Sequence, residues 1–399
     1  MSKVFDLILE EENRQKITWE FIPSENVISA NIKMALGSVF SNKYAEGYPA
    51  ERETGNKGRY YGGCQVVDEL ENYCCEMWQK VFHTKYHVNV QPLSGSQANM
   101  AAYMSVLKPG DTVLSMSLDN GGHLSHGLPA NFSGKNYNFI HYNVTEDGYI
   151  DYDDLREKAA HYHPRMIVAG ASAYSRKIDF ARIRNIIDEV GFNSYGLPTY
   201  FMVDMAHIAG LIAAGEHPSP FGFADIITTT TQKTLRGPRG GLIFCKPELA
   251  KKVDSAVFPG VQGGPHMHVI AAKAICAEEA CEPEYKEYIK QVIKNCKAMA
   301  ERFTELGYKV VTGGTDNHLI LVDLTDKGVT GKEVQEALDE VCISLNKNCV
   351  PGDKRKPTET SGIRLGSAYM TTLGKKEDDF REIIDEIDEV IKELQASKS

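Results

Sequence analysis

The sequence predicts an α/β protein: a large domain on a mostly parallel sheet, followed by a smaller α+β domain. Three observations carry this. Short apolar runs rich in β-branched residues alternate with helical stretches through the middle of the chain, the pattern of strands joined by helical crossovers. The polar motifs fall just after those runs, where open α/β sheets place their ligands. From about residue 266 the alternation gives way to long helices and a few short strands.

Taken in order, residues 1–20 read as a charged amphipathic helix followed by an extended arm. HVNVQP (87–92) reads as a strand and SQANMAAYMSVL (96–107) as the helix after it. DTVLSM (111–116), MIVAGAS (166–172), YFMVD (200–204), ADIITTT (224–230) and GLIFC (241–245) read as further buried strands. HMHVIAAKAICAEEA and YKEYIKQVIKNCKAMAERFTELG are long helices. They lead to KVVTGG, HLILVDL, a helix near 331–341, CISLN and a closing helix at 376–395. No Pro/Gly linker separates the parts. The division is therefore placed within a helical stretch: an arm at 1–30, a large domain at 31–280 and a small domain at 281–399. Two unusually polar stretches, AERETGNKG (50–58) and GFNSYGLPT (191–199), read as surface excursions or site lids.

Composition narrows the function. The chain has 399 residues, 42% of them apolar and 25% charged, enough for a sizeable core. A net charge of -10, with no basic block, disfavours nucleic acid and anionic lipid as partners. No apolar run reaches the ~18 residues that span a bilayer. Nine cysteines, with no C-x-x-C pair, point to free thiols in a reducing cytoplasm and to no metal site.

Four motifs carry chemistry. SGSQAN (94–99) follows a strand and opens a helix, so Ser94, Gly95 and Ser96 can offer N–H groups and hydroxyls to an anion. Gly121, Gly122 and His123 also follow a strand, and a flat imidazole there can stack on a flat heteroaromatic ring. Asp204 ends a strand three residues before His207. Lys233 sits in TTTTQKTLRGPRGG (228–241), whose irregular backbone can aim one amine into a cleft. A pyridoxal-phosphate enzyme needs these parts: a lysine for the imine, an acid for the ring nitrogen and a cradle for the phosphate. Each residue alone has an ordinary reading as a helix cap or a solvated side chain. Their order together is distinctive.

That order resembles the serine hydroxymethyltransferase family. The resemblance runs through SNKYAEGYP (41–49), RYYGGC (59–64), QPLSGSQAN (91–99), NGGHLSHG (120–127), SAYS (172–175), VDMAHIAGL (203–211), TTTTQKTLRGPRGG, AVFPGVQGGP (256–265), TGGTDNHL (312–319), LNKN (345–348) and TSGIRLG (360–366). It implies a fold-type-I, aminotransferase-like fold with a seven-stranded sheet. It also implies interconversion of serine and glycine with tetrahydrofolate as co-substrate. By this resemblance Lys233 carries the cofactor, Asp204 pairs with its ring nitrogen and His123 stacks on its ring. Ser94, Gly95, Ser96, Thr230 and Gln232 surround it, with Ser172 and His207 near the ring hydroxyl. Arg364 grips the substrate carboxylate, and Ser24 lines the site. Glu46 is the acid/base beside the substrate hydroxyl. Tyr44, Tyr61, Gly263 and Gly264 reach a neighbouring subunit's site, which implies a homodimer or tetramer. Glu46, Tyr60, Leu118, Gly122, Leu124 and Asn348 fall on folate-lining positions.

The match departs in places. Gln232 stands where the family usually has His. AERETGNKG stretches the segment between Glu46 and Tyr60. KPTETSGIR (356–364) replaces a usual Ser-Pro-Phe stretch, and SAYMTTLG (367–374) lacks the usual Thr-Pro and an Arg. The cofactor side is nearly intact and the folate side is altered. A folate-independent relative, such as a threonine-type aldolase, a transaldolase or an α-methylserine hydroxymethyltransferase, is the alternative reading.

Overall fold

The computed structural model describes residues 2–50, 58–191 and 196–398. Residues 51–57 and 192–195, parts of the polar stretches at 50–58 and 191–199, therefore lie outside the described residues. The chain opens with helix α1 (Lys3–Ile17), started by the Ser2 cap; none of its residues is buried. Strand β1 (Trp19–Glu20) and helices α2 (Ala30–Leu36) and α3 (Gln65–Val81) follow.

The large sheet comprises β2 (His87–Asn89), β3 (Thr112–Met116), β4 (Asn138–Tyr142), β5 (Met166–Ala169), β6 (Tyr200–Asp204), β7 (Ile226–Thr230) and β8 (Gly241–Cys245). Between these strands run α4 (Gly95–Val106), α5 (Phe132–Asn136), α6 (Tyr152–Tyr162), α7 (Phe180–Val190) and α8 (Ala209–Ala214). The order is β2-β8-β7-β6-β5-β3-β4. Every strand but β8 runs the same way, because β8 is antiparallel to both its neighbours. The six strands read from the sequence are all present. The seventh, β4, escaped notice because NFIHY lies at the sheet edge and is only partly buried, so it lacks a continuous apolar run.

Alternation across the sheet builds two layers of core. Val203, Ile227 and Phe244 face one layer, whereas Met202, Ile226 and Ile243 face the other. Helix α7 shows how the sequence serves this. Asp179 caps it by accepting from the Arg182 N–H, and it buries Phe180, Ile183, Ile186 and Ile187 at helical spacing.

After α9 (Ala250–Ser255) come α10 (Met267–Cys281) and α11 (Pro283–Glu305), separated by Glu282. Helix α11 joins two cores: Tyr285 and Ile289 pack on the large one, and Cys296, Met299 and Phe303 on a second. The second unit holds β9 (Lys309–Val310), β10 (Leu319–Asp323), α12 (Gly331–Glu340), β11 (Ile343–Ser344), β12 (Asn346–Asn348), β13 (Gly362–Gly366), α13 (Ala368–Thr372) and α14 (Glu377–Ala396). Its sheet has the order β12-β13-β10-β9, and β1 pairs with β11. Phe21 thereby enters the second core, so the N-terminal arm is packed against the C-terminal part of the chain.

Strand direction positions the site. Strands β3, β5, β6 and β7 are parallel, so their carboxyl ends share one edge. The segments after them, carrying His123, Ser172, Asp204 and Lys233, converge there. The connection from β7 to β8 is short and reverses the chain, so Lys233 stays at that edge instead of leaving on a crossover helix.

Candidate active site

The cleft begins at the start of α4. Ser94 caps the helix, its hydroxyl accepting from the Gln97 N–H at 3.3 Å. Ser94, Gly95 and Ser96 line a cavity of about 240 Å³ together with Ser24, His123, Ser172, Asp204, His207, Thr230, Gln232 and Lys233. The glycine is required for this shape, because a Cβ at Gly95 would lie 2.6 Å from the Thr230 methyl. The buried Thr230 Oγ1 has no partner among the described residues. An orphan hydroxyl beside a helix N-terminus and a serine turn fits a phosphate group. Gln232 Oε1 accepts from the Gly240 N–H at 3.4 Å, so its amide is tied to the cleft wall.

Asp204 is held by a network. Its Oδ2 accepts from Asn99 at 2.9 Å and lies 3.1 Å from His126 Nε2, while its Oδ1 accepts from the Ala206 N–H at 3.1 Å. Burial alone would raise its pKa. The His126 hydrogen bond and charge, the nearby His123 and the Asn99 bond outweigh burial and hold Asp204 well below the usual carboxylate range. The buried acid therefore stays ionised. His123 Nδ1 lies 2.7 Å from Ser125 Oγ. Burial, with the nearby His126, lowers the His123 pKa to about 4, so its ring is neutral near pH 7. Ligand atoms of His123, His126 and Asp204 lie within 4.8 Å of one another, yet Asp204 Oδ2 is already shared by two hydrogen-bond partners.

Lys233 is buried, and the chain just after it is fixed: its carbonyl accepts from Asn26 at 3.0 Å, and the Thr234 hydroxyl donates to the His207 carbonyl at 3.0 Å. Burial lowers its pKa to about 8, Asp204 opposing and Arg364 and Arg239 adding to the fall. About a tenth of the amine is therefore neutral near pH 7, far more than for an ordinary lysine, and imine formation uses that neutral form.

Arg364 projects from β13 with its Nε donating to Asn346 Oδ1 at 3.0 Å and its Nη1 to the Ser172 carbonyl at 2.6 Å. It lines a second cavity of about 370 Å³ with Leu118, Gly122, Leu124 and Asn348; the two cavities share Ser24, His123, Ser172, His207 and Lys233. His207 Nδ1 meets His318 Nε2 at 3.2 Å, and burial lowers both pKa values, so this pair is uncharged.

The remaining expected residues assemble elsewhere. Tyr44 and Tyr60 each pack edge-on against Tyr61, with ring centroids 5.4 Å apart in both pairs. Tyr61 donates to Glu46 Oε2 at a long 3.4 Å. A Cβ on Gly263 would lie 3.0 Å from Glu46 Oε1, and one on Gly264 3.1 Å from the Tyr44 ring. Tyr44, Glu46, Tyr60, Tyr61, Gly263 and Gly264 thus form one surface cluster, and none of them lines either cavity of its own chain.

Three functional residues were missed in the sequence. His126 and Asn99 hold Asp204; both lie in motifs already noted, NGGHLSHG and SGSQAN, but nothing local marks them as its partners. The third is Arg59. Its Nη1 donates to the carbonyls of Ala45 at 3.0 Å and Gly47 at 2.8 Å, on either side of Glu46, while Glu71 and Asp68 hold the guanidinium at 2.6 and 2.8 Å.

A buried lysine facing an ionised aspartate and an anion cradle, at the carboxyl edge of a mixed seven-stranded sheet, defines a fold-type-I pyridoxal-phosphate enzyme. A family model described as serine hydroxymethyltransferase matches residues 1–387. The chain belongs to this family. It is a transferase of one-carbon metabolism that interconverts serine and glycine with pyridoxal phosphate. Among the described residues no helix is long and apolar enough to cross a membrane.

Proposed function

We propose that the chain moves the hydroxymethyl group of serine to tetrahydrofolate, leaving glycine, and that it does so as a homodimer or tetramer in the cytoplasm. The observation that carries this reading is the shared wall of the two cavities. The positions that match folate-lining residues, Leu118, Gly122, Leu124 and Asn348, surround a space that also contains Arg364 and reaches Lys233. Bound pyridoxal phosphate supplies the electron sink for cleavage between Cα and Cβ.

The chain's residues do the rest. Ser94, Gly95, Ser96 and Thr230 would hold the phosphate. Asp204, kept ionised, would accept a hydrogen bond from a protonated ring nitrogen. The neutral His123 ring would flank the cofactor, with Ser172 and His207 available to its hydroxyl. The free end of the Arg364 guanidinium takes the amino-acid carboxylate, and Ser24 borders it. Glu46 moves the proton of the serine hydroxyl. Because Glu46 lies outside its own chain's cavities, it acts on a neighbouring subunit, with Tyr44, Tyr60, Tyr61, Gly263 and Gly264 beside it. Gln232 can orient but cannot carry a proton. Nine cysteines with no disulfide among the described residues fit a reducing compartment.

A folate-independent activity is the second reading. Pro357 and Thr360, from the segment that departs from the family pattern, line the second cavity. Purified enzyme assayed with serine, with and without tetrahydrofolate, separates the two. One-carbon transfer that requires tetrahydrofolate supports the proposal. Cleavage of allo-threonine with no transfer from serine at saturating tetrahydrofolate replaces it with the second reading.

A further inference from the structure

Lys273 lies in the middle of α10 and is 1% exposed. Its ammonium donates to three carbonyls: Val90 at 2.7 Å, Pro92 at 3.0 Å and Gly241 at 2.8 Å. All three donors therefore go to neutral groups. Burying a cation without a bonded carboxylate is costly. The carbonyls are informative. Val90 and Pro92 lie between β2 and Ser94. Gly241 starts β8, directly after Gly240, which lines the cleft. The Gly241 N–H also donates to the Pro92 carbonyl at 3.0 Å. A Cβ on Gly240 would come within 2.4 Å of Lys273 Cε, and one on Gly241 within 2.5 Å of the Ser94 carbonyl. The lysine stem thus runs against the back of the cleft wall, where only glycine leaves room for it.

We infer that Lys273 is a positioning residue of the phosphate cradle, joining the 90–96 and 240–241 segments and placing a buried positive charge behind the bound phosphate. The inference rests on the reading that Ser94, Gly95 and Ser96 hold that phosphate. It accounts for a cation with no bonded counter-charge: the dianionic phosphate is the missing partner, felt through the turn it helps to shape. Burial lowers the Lys273 pKa to about 8, with Cys74 and Glu71 opposing.

The experiment compares pyridoxal 5'-phosphate with pyridoxal, which lacks the phosphate, by titrating cofactor-free protein and following absorbance. Wild type, Lys273→Met and Lys273→Arg are measured. Wild type should prefer the phosphorylated form. Lys273→Met should lose about tenfold or more of that preference, ~1.4 kcal/mol, with pyridoxal affinity unchanged. Lys273→Arg, which keeps the charge, should recover part of it. If Lys273→Met does not fold, Lys273→Gln is read in the same way. A variant that loses affinity equally for both compounds, or loses none, overturns the inference, because the lysine then only supports the fold or is dispensable. A wild type with no preference for the phosphorylated form overturns instead the assignment of the cradle.

Discussion

The Lys233 cleft and the Glu46 cluster are built in contrasting ways. In the cleft, Asp204 is held by Asn99, His126 and the Ala206 N–H, and Arg364 by Asn346 and Ser172. These groups are largely withdrawn from water and held within a single chain, so their geometry is set before any ligand arrives. Around Glu46 the backbone is held by the Arg59 clamp, while the side chain has only the long Tyr61 bond. Tyr60 is 81% exposed, Tyr44 58% and Tyr61 42%. An exposed aromatic cluster around a carboxylate is characteristic of a surface that a partner covers. The cleft is pre-organised by one chain, and the cluster is a prepared turn whose side chains stay exposed, as the proposed dimer requires.

The largest effect that tests this contrast is at Lys233. Lys233→Ala should lower serine–glycine exchange by at least ~10³-fold, the scale lost with an essential group. Borohydride treatment of wild type should fix label on Lys233 in a peptide map, and label on another lysine would undo the assignment of the cleft.

Next comes Glu46→Gln, which keeps size and hydrogen bonding but removes ionisation. The folate-dependent serine reaction should fall by ~10²–10⁴-fold, with glycine binding retained. Mixing Lys233→Ala with Glu46→Gln subunits then probes the comparison itself. If Glu46 serves the neighbouring chain, mixed dimers regain one complete site and activity returns on subunit exchange. No recovery in dimers shown by mass to be mixed would place Glu46 in its own chain's site.

Arg364→Ala should weaken serine and glycine binding by at least ~30-fold, since a buried charged contact is worth ~2–5 kcal/mol. Cofactor binding should persist. Unchanged amino-acid affinity would move the carboxylate site elsewhere.

The smallest effect is on stability. Burial lowers the Lys233 pKa from 10.5 to about 8. Between those values the unfolded chain holds a proton that the folded chain has released. Stability therefore rises with pH across this window, and the contribution is lost as pH falls through about 8. Cofactor-free Lys233→Met escapes this penalty. Its melting temperature relative to wild type should be highest near about pH 7.5 and fall toward about pH 10. A constant difference would show that the amine titrates normally.

Much of the cleft was legible because its parts are local. Lys233 sits in a long motif, Ser94 caps the helix it opens, and Asp204 ends the apolar run YFMVD. Strand β4 was not legible, since an edge strand needs no continuous apolar run. His126 and Asn99 were not assigned to Asp204, from which they stand 78 and 105 residues away. Lys273 interrupts the apolar run VIAAKAICA, yet nothing local named the carbonyls it binds.

The sequence by itself determined the α/β class, six of the seven strands of the large sheet and the residue types of the site, because burial period and motif order are properties of neighbouring residues. Only the tertiary structure decided which residues meet. Strand order β2-β8-β7-β6-β5-β3-β4 brings the ends of β3, β5, β6 and β7 to one edge and leaves the Glu46 turn on the surface. It also places Lys273 behind the cradle, 183 residues from the Val90 carbonyl it binds. Contacts of that range depend on how the layers stack, and no periodicity along the chain encodes that.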